Sequence, residues 1–114
     1  MKKLEIKTPI TIYDSVNELP NDVKVLMDEA VKIRKTAYAP YSKFHVGAAL
    51  LLENGEVITG NNQENAAYPS GMCAERVAVW QAGSRHPNVK IKIIAITASS
   101  KENPVTKPVA PCGA

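Results

Sequence analysis

Two cysteines and one glutamate have the types and spacing that could hold a metal ion beside a proton carrier. Glu75 follows Cys73 by two residues, and Cys112 follows Pro111 near the end of the sequence. Thiolates bind zinc, and a zinc site with an open position lowers the pKa of bound water from 15.7 toward about 7. A carboxylate beside that water can accept its proton without binding the metal. The pattern therefore predicts zinc-assisted hydrolysis, with Glu75 as the catalytic residue.

Both cysteines are predicted at the starts of helices. Cys73 begins an apolar pattern that runs to Ala82, where Gly83 is placed to end the helix, and Cys112 would begin another helix. Peptide dipoles and unpaired N–H groups at a helix start favour a thiolate. We expect the two helix starts to meet and to present both sulfurs to one zinc ion.

The composition excludes several classes of protein. The 114 residues carry a formal net charge of +3, with 45 % hydrophobic and 22 % charged residues, as in an ordinary single soluble domain. The lysines are scattered, so we expect no binding to nucleic acid and a small, nearly neutral substrate instead. No stretch is typical of a secretory signal or a membrane span, which predicts a cytoplasmic protein without membrane contact. Cysteines there stay reduced.

Apolar periodicity predicts an α/β domain. Residues 1–18 read as an extended arm and 19–114 as one domain, whose first helix starts near Asn21 and continues to Ala37 before Pro40. Further segments read as a strand, a hairpin turn at Asn54-Gly55, a returning strand, a polar loop and a later strand. In order, the two strands of the hairpin, the loop and the last strand are His45 to Leu52, Val57 to Gly60, Asn61 to Asn65 and Val89 to Ala98.

Five segments in the same order resemble the small cytidine deaminases of pyrimidine salvage. They are Tyr38 to Phe44 (YAPYSKF), Val46 to Leu50 (VGAAL), Gly60 to Tyr68 (GNNQENAAY), Cys73 to Arg76 (CAER) and Pro111 to Ala114 (PCGA). The resemblance covers nearly the whole chain from the first helix onward. It implies a three-layer α/β fold with a mixed central sheet.

The resemblance also assigns site residues. In that family zinc is held by three cysteines, of which Cys73 and Cys112 match two; the third would follow Ala114 directly, as would a last helix and two strands. Glu75 matches the proton shuttle, while Arg76 could offset the charge of the thiolates. The substrate-binding positions match Phe44, which packs against the pyrimidine, Asn62 and Glu64, which bind ribose hydroxyls, and the backbone at Ala74.

The implied function is zinc-dependent hydrolysis of cytidine or deoxycytidine to uridine or deoxyuridine and ammonia. The substrate would be a free nucleoside, and the family implies a homo-oligomer, usually a tetramer. Two alternatives remain open. The chain could be a catalytically impaired, truncated deaminase whose two thiols bind zinc weakly or form a disulfide. It could also act on a related aminopyrimidine nucleoside.

Overall fold

A computed structural model describes residues 1–111 of the chain. Residues 1–13 contain no helix or strand, and their side chains are exposed. Short 3₁₀ turns lie at Val16–Glu18 and Tyr68–Ser70. The helices are α1 (Asn21–Arg34) and α2 (Ala74–Arg85), and the strands are β1 (His45–Leu52), β2 (Val57–Asn61) and β3 (Ile91–Ser99). None of the described helices is long and apolar enough to cross a membrane.

The three strands form one sheet in the order β2-β1-β3, and β1 is antiparallel to both neighbours. The hairpin predicted at Asn54-Gly55 joins β1 to β2, with Gly55 at a φ of 88° and the Leu52 amide donating to the Glu56 carbonyl. The described strands pair only in antiparallel fashion. The parallel pair that a mixed sheet requires is not among them.

Each helix covers one face of the sheet, which confirms the three-layer arrangement. On one face Ala48, Leu50 and Leu52 of β1 pack with α2, through Ala74, Ala78 and Ala82. On the other face Ala49 packs with Leu26 and Ala30 of α1. Because successive side chains of a strand point to opposite faces, a strand covered on both sides needs a continuous apolar run. The run from Val46 to Leu52 meets that need.

Two glycines let the helices lie directly on the strands. A Cβ atom on Gly47 would lie 2.1 Å from the Ala30 carbonyl oxygen of α1. On the other face, a Cβ atom on Gly60 would lie 2.6 Å from the Ala78 amide nitrogen and 2.7 Å from the Ala74 carbonyl oxygen of α2. Both contacts involve backbone atoms, which cannot rotate away. The position of α2, and with it of its first turn, therefore depends on Gly60.

Several predicted boundaries differ from the structure. The first helix ends at Arg34 rather than Ala37, and the last strand begins at Ile91. Gly83 does not end α2 as predicted: it lies inside the helix, which continues to Arg85. His86 ends the helix instead, with a φ of −133°, because Pro87 disfavours helical backbone in the residue before it.

Replacing Gly60 and Gly83 separately by alanine should change stability in opposite directions. Gly60→Ala forces backbone atoms of α2 away from β2 and should lower the free energy of unfolding by about 1–3 kcal/mol. Gly83→Ala adds a methyl group that meets nothing within 4 Å and improves helix propensity. It should raise the free energy of unfolding by about 0.5–1 kcal/mol. Urea unfolding followed by circular dichroism measures both, and equal effects at the two positions would refute this account of Gly60.

Candidate active site

One cavity of about 1000 Å³ lies between the start of β1, the loop after β2 and the first turn of α2. Six of the seven site residues predicted from the sequence line it: Phe44, Asn62, Glu64, Cys73, Ala74 and Glu75. The seventh, Cys112, lies outside the described residues. Residues from three separate parts of the sequence thus meet at one surface.

The first turn of α2 supplies the possible metal ligand. Cys73 is the N-cap residue, half-buried, with extended backbone, and its carbonyl accepts a hydrogen bond from the Val77 amide at 3.1 Å. Ala74, the next residue, is fully buried against Gly60. The first N–H groups of a helix have no partner within it, and they stabilise negative charge. A thiolate at Cys73 is favoured by this position.

Glu75 and Arg76 follow on the same turn, and both are half-buried and line the cavity. The Arg76 Nε atom is buried and has no hydrogen-bond partner among the described residues. The guanidinium carbon lies 5.3 Å from the ring centroid of Trp80, which is a cation–π distance. The arginine is held beside Cys73 with a donor available for an acceptor.

These residues fit a zinc site in their chemistry, although the described part supplies one sulfur ligand. Within residues 1–111, no three His, Cys, Asp or Glu side chains are close enough to hold a metal ion together. Cys73 offers a soft donor at a helix start, and the buried Nε of Arg76 suits a neighbour that carries negative charge. The second sulfur ligand predicted from the sequence is Cys112.

At the beginning of β1, the Asn62 side chain makes the hydrogen bonds that the backbone of a neighbouring strand would otherwise make. Its Nδ2 donates to the Phe44 carbonyl at 2.8 Å, and its Oδ1 accepts from the Val46 amide at 2.9 Å. This pair of bonds imitates the exchange between neighbouring strands and fixes the backbone on both sides of His45. Phe44 is therefore held at the cavity wall by Asn62. Each amide atom keeps one further hydrogen-bonding capacity, which is available to a ligand.

Glu64 binds the loop that precedes Phe44. Its Oε1 accepts from the amides of Tyr41 at 3.0 Å and Ser42 at 3.1 Å, while Oε2 accepts from the Ser42 hydroxyl. Partial burial raises the pKa of Glu64, but the hydrogen bonds from Ser42 and Tyr41, with a smaller contribution from the charge of His45, outweigh it. The net effect lowers the pKa below its ordinary value. The carboxylate stays ionised and acts as an acceptor.

Sequence reasoning missed other residues of the cavity. Tyr68 and Met72 line it, as do Val109 and Ala110 from the segment after β3. Small apolar residues in a proline-containing loop have no sequence feature that indicates that they line a cavity. Asn61 was predicted in the loop, yet it ends β2 and is 8 % exposed. In a run of amide residues, the sequence alone does not show which side chain is buried.

Comparisons with known proteins agree with this architecture. The chain matches the family model described as "Cytidine and deoxycytidylate deaminase zinc-binding region" over residues 20–114. Proteins named cytidine deaminase from Halalkalibacterium halodurans and Sporosarcina psychrophila are each 46 % identical to it over 93 residues, which is 82 % of this chain. The chain spans 66 % and 64 % of the lengths of these two relatives.

Solved structures show the same fold. The crystal structure of cytidine deaminase from Burkholderia pseudomallei matches with a TM-score of 0.70 and 38 % identity, covering 83 % of this chain and 70 % of that one. The cytidine deaminase of Mycobacterium tuberculosis matches with a TM-score of 0.69 and 33 % identity, covering 82 % and 72 % of the two chains. With a family model that matches most of its length, the chain belongs to the family of the cytidine and deoxycytidylate deaminase zinc-binding region.

Proposed function

We propose that the protein deaminates cytidine and deoxycytidine, with zinc, to uridine and deoxyuridine. The observation that carries the proposal is the meeting in one cavity of a cysteine and a carboxylate from α2 with the aromatic, amide and carboxylate side chains of two loops. The first two are the groups that hydrolysis at a metal needs. The others are the groups that a pyrimidine ring and a sugar diol need.

Cys73 and Cys112 would hold the zinc ion. A bound zinc ion supplies Lewis acidity, which makes water nucleophilic near neutral pH. Arg76 would offset the negative charge of the thiolates through its buried Nε and its neighbouring nitrogens. In this proposal the first turn of α2 thus contributes a ligand, a counter-charge and, at Glu75, a base.

Glu75 would move the protons of the reaction. Its carboxylate takes a proton from the attacking water as the water oxygen adds to C4 of the pyrimidine. The carboxylic acid then returns the proton to the ring nitrogen N3. A second proton passes through Glu75 from the new hydroxyl group on C4 to the exocyclic nitrogen, the C4–N4 bond breaks as the C4–O bond becomes a carbonyl, and ammonia leaves. Water and cytidine are consumed, uridine and ammonia are formed, and Glu75 ends ionised as it began.

The substrate would be oriented by four positions. Phe44 would pack against the ring, and the backbone at Ala74, fixed by the close packing on Gly60, would contact the base carbonyl. Asn62 and Glu64 would bind the ribose hydroxyls, the amide as donor and acceptor and the ionised carboxylate as acceptor. The lowered pKa of Glu64 supports the acceptor role.

The remaining features of the proposal rest on the family and on the charge pattern. A free nucleoside, rather than nucleic acid, suits a chain whose lysines are scattered. We propose a homo-oligomer working in the cytoplasm, with residues 1–18 as an arm outside the catalytic domain. A related aminopyrimidine nucleoside is the alternative substrate.

Glu75→Gln should greatly reduce turnover without removing the metal. The amide keeps the shape of the side chain but cannot accept the proton of water, so kcat should fall by a factor of about 10²–10⁴. The loss of cytidine absorbance measures turnover, and elemental analysis after dialysis measures zinc. Glu56→Gln, in the exposed hairpin turn at the far end of β1, is the matched control and should keep full activity.

Two results would contradict the proposal. The first is wild-type protein that does not deaminate cytidine at saturating zinc, which favours the catalytically impaired alternative. The second is a Glu75→Gln variant that retains wild-type kcat.

Glu64→Gln should cost stability in a pH-dependent manner. The ionised carboxylate accepts three hydrogen bonds, and Nε2 of a glutamine cannot replace the oxygen that accepts from the Ser42 hydroxyl. The folded pKa of Glu64 lies below its ordinary value of 4.5. Its contribution is therefore fully present above that value and is lost as the pH falls through the lowered pKa.

Urea unfolding at a series of pH values measures this prediction. The difference in free energy of unfolding between wild type and Glu64→Gln should be constant from pH 7 to about pH 5 and should shrink below that. A difference that does not change between pH 7 and pH 3 would show that the ionised form contributes nothing.

A further inference from the structure

Asn61 is a buried polar residue for which the proposed function has no role. It is the last residue of β2, pairs with Gly47 of β1 and is 8 % exposed. Directly opposite residues of antiparallel strands share a face of the sheet, so Asn61 lies on the side of α1, where Gly47 lets that helix approach. A buried amide is costly unless its hydrogen bonds are made.

Two of the three hydrogen bonds of the Asn61 side-chain amide reach residues more than twenty positions away in the sequence, and the third binds Gln63. Its Nδ2 donates to the Ile33 carbonyl in the last turn of α1 at 2.9 Å and to the hydroxyl of Thr36, two residues beyond that helix, at 3.0 Å. Its Oδ1 accepts from Nε2 of Gln63 at 2.7 Å. The Ile33 carbonyl can only accept, so it fixes which end of the amide faces α1 and leaves the oxygen for Gln63.

Gln63 then connects this amide to the candidate site. Its backbone exchanges two hydrogen bonds with Met72, the residue before Cys73, at 2.9 and 2.8 Å. Its chain neighbours are Asn62 and Glu64, whose own backbones bond to Tyr38 at 3.0 and 2.8 Å. Through Asn61, the side chain of Gln63 therefore connects the middle of the loop from Asn62 to Asn65 with the last turn of α1.

We propose that Asn61 and Gln63 are positioning residues that set the recognition of the ribose by Asn62 and Glu64. This inference rests on the proposed function. Asn61 does not line the cavity, and the side chain of Gln63, which does line it, is hydrogen-bonded to Asn61. In this proposal both side chains act by holding the backbone between Asn62 and Glu64. Loss of the Gln63–Asn61 hydrogen bond should weaken binding of the sugar hydroxyls while the chemistry at Glu75 proceeds unchanged.

The test is Gln63→Leu, assayed on cytidine and on 2′,3′-dideoxycytidine, which lacks both hydroxyls of the diol. Gln63 is exposed, so the variant should fold. Loss of one hydrogen bond should raise KM for cytidine about fivefold and leave kcat within about twofold. KM for the dideoxynucleoside should rise less than KM for cytidine, because that substrate lacks the hydroxyls that Asn62 and Glu64 would bind. Asn61→Leu should show the same pattern more strongly.

Gln81→Leu is the matched control. The Nε2 atom of Gln81, on α2, donates a hydrogen bond to the Thr59 carbonyl of β2 at 3.1 Å. Gln81 does not line the cavity. Removing it should leave KM for both nucleosides unchanged. Amide hydrogen exchange at Gln63 and Met72, measured on the same proteins, should become faster in Gln63→Leu and stay as in wild type in Gln81→Leu.

Three outcomes would overturn the inference: an equal rise of KM for both nucleosides, an unchanged KM for cytidine, or unchanged exchange at Gln63 and Met72. If wild-type protein does not deaminate cytidine, the proposed function fails on its own. In that case the exchange measurement alone decides whether the Asn61–Gln63 pair positions this loop.

Discussion

The contact between the backbone of α2 and β2 at Gly60 is the constraint on which the candidate site depends. A helix normally packs on a sheet through its side chains, and their size sets the distance between the helix and the sheet. Here the Ala74 carbonyl and the Ala78 amide lie where a Cβ atom of Gly60 would be. Cys73, Glu75 and Arg76 extend from that turn, so their places relative to β1 are fixed by backbone atoms rather than by flexible side chains. The small residues Ala74, Ala78 and Ala82 continue the close contact along the helix.

Hydrogen bonds from side chains organise the other half of the cavity. The segments around Tyr38, Asn62 and Met72 are not part of the sheet, yet each has backbone partners in another of them. Asn62 and Glu64 add side-chain bonds to the segment that carries Phe44. A cluster of polar residues in an irregular region thus acts as a scaffold, because each amide or carboxylate satisfies backbone groups that a strand would otherwise have satisfied.

The sequence was sufficient to predict the elements with strong periodicity, and six of the residues that it singled out line one cavity. The strand from His45 to Leu52 is confirmed at both ends, because an apolar run bounded by a turn dipeptide has few alternatives. The end of the second helix was predicted wrongly, since a glycine inside a helix and a glycine that ends one look alike until the backbone angle is known. The helix in fact ends where Pro87 requires it.

Hydrogen-bond partners could not be predicted in the same way. Nothing in the order Asn61-Asn62-Gln63-Glu64-Asn65 shows that the first amide is buried, that the second holds Phe44, or that the carboxylate faces two backbone amides. These depend on contacts between segments more than fifteen residues apart. Burial of Asn61 in particular requires α1 to lie against Gly47, which is a property of the tertiary structure.

The two hydrogen bonds that the Asn62 side chain makes with the backbone around His45 affect how the binding energies of the base and the sugar combine. The same amide holds the aromatic wall and, in the proposed function, meets the sugar. In the proposed function, a shift of the Asn62 amide toward a sugar hydroxyl would also act on the backbone of Phe44, so recognition of the sugar and of the base would be coupled. The contributions of the two halves of a ligand to its binding free energy should then be non-additive.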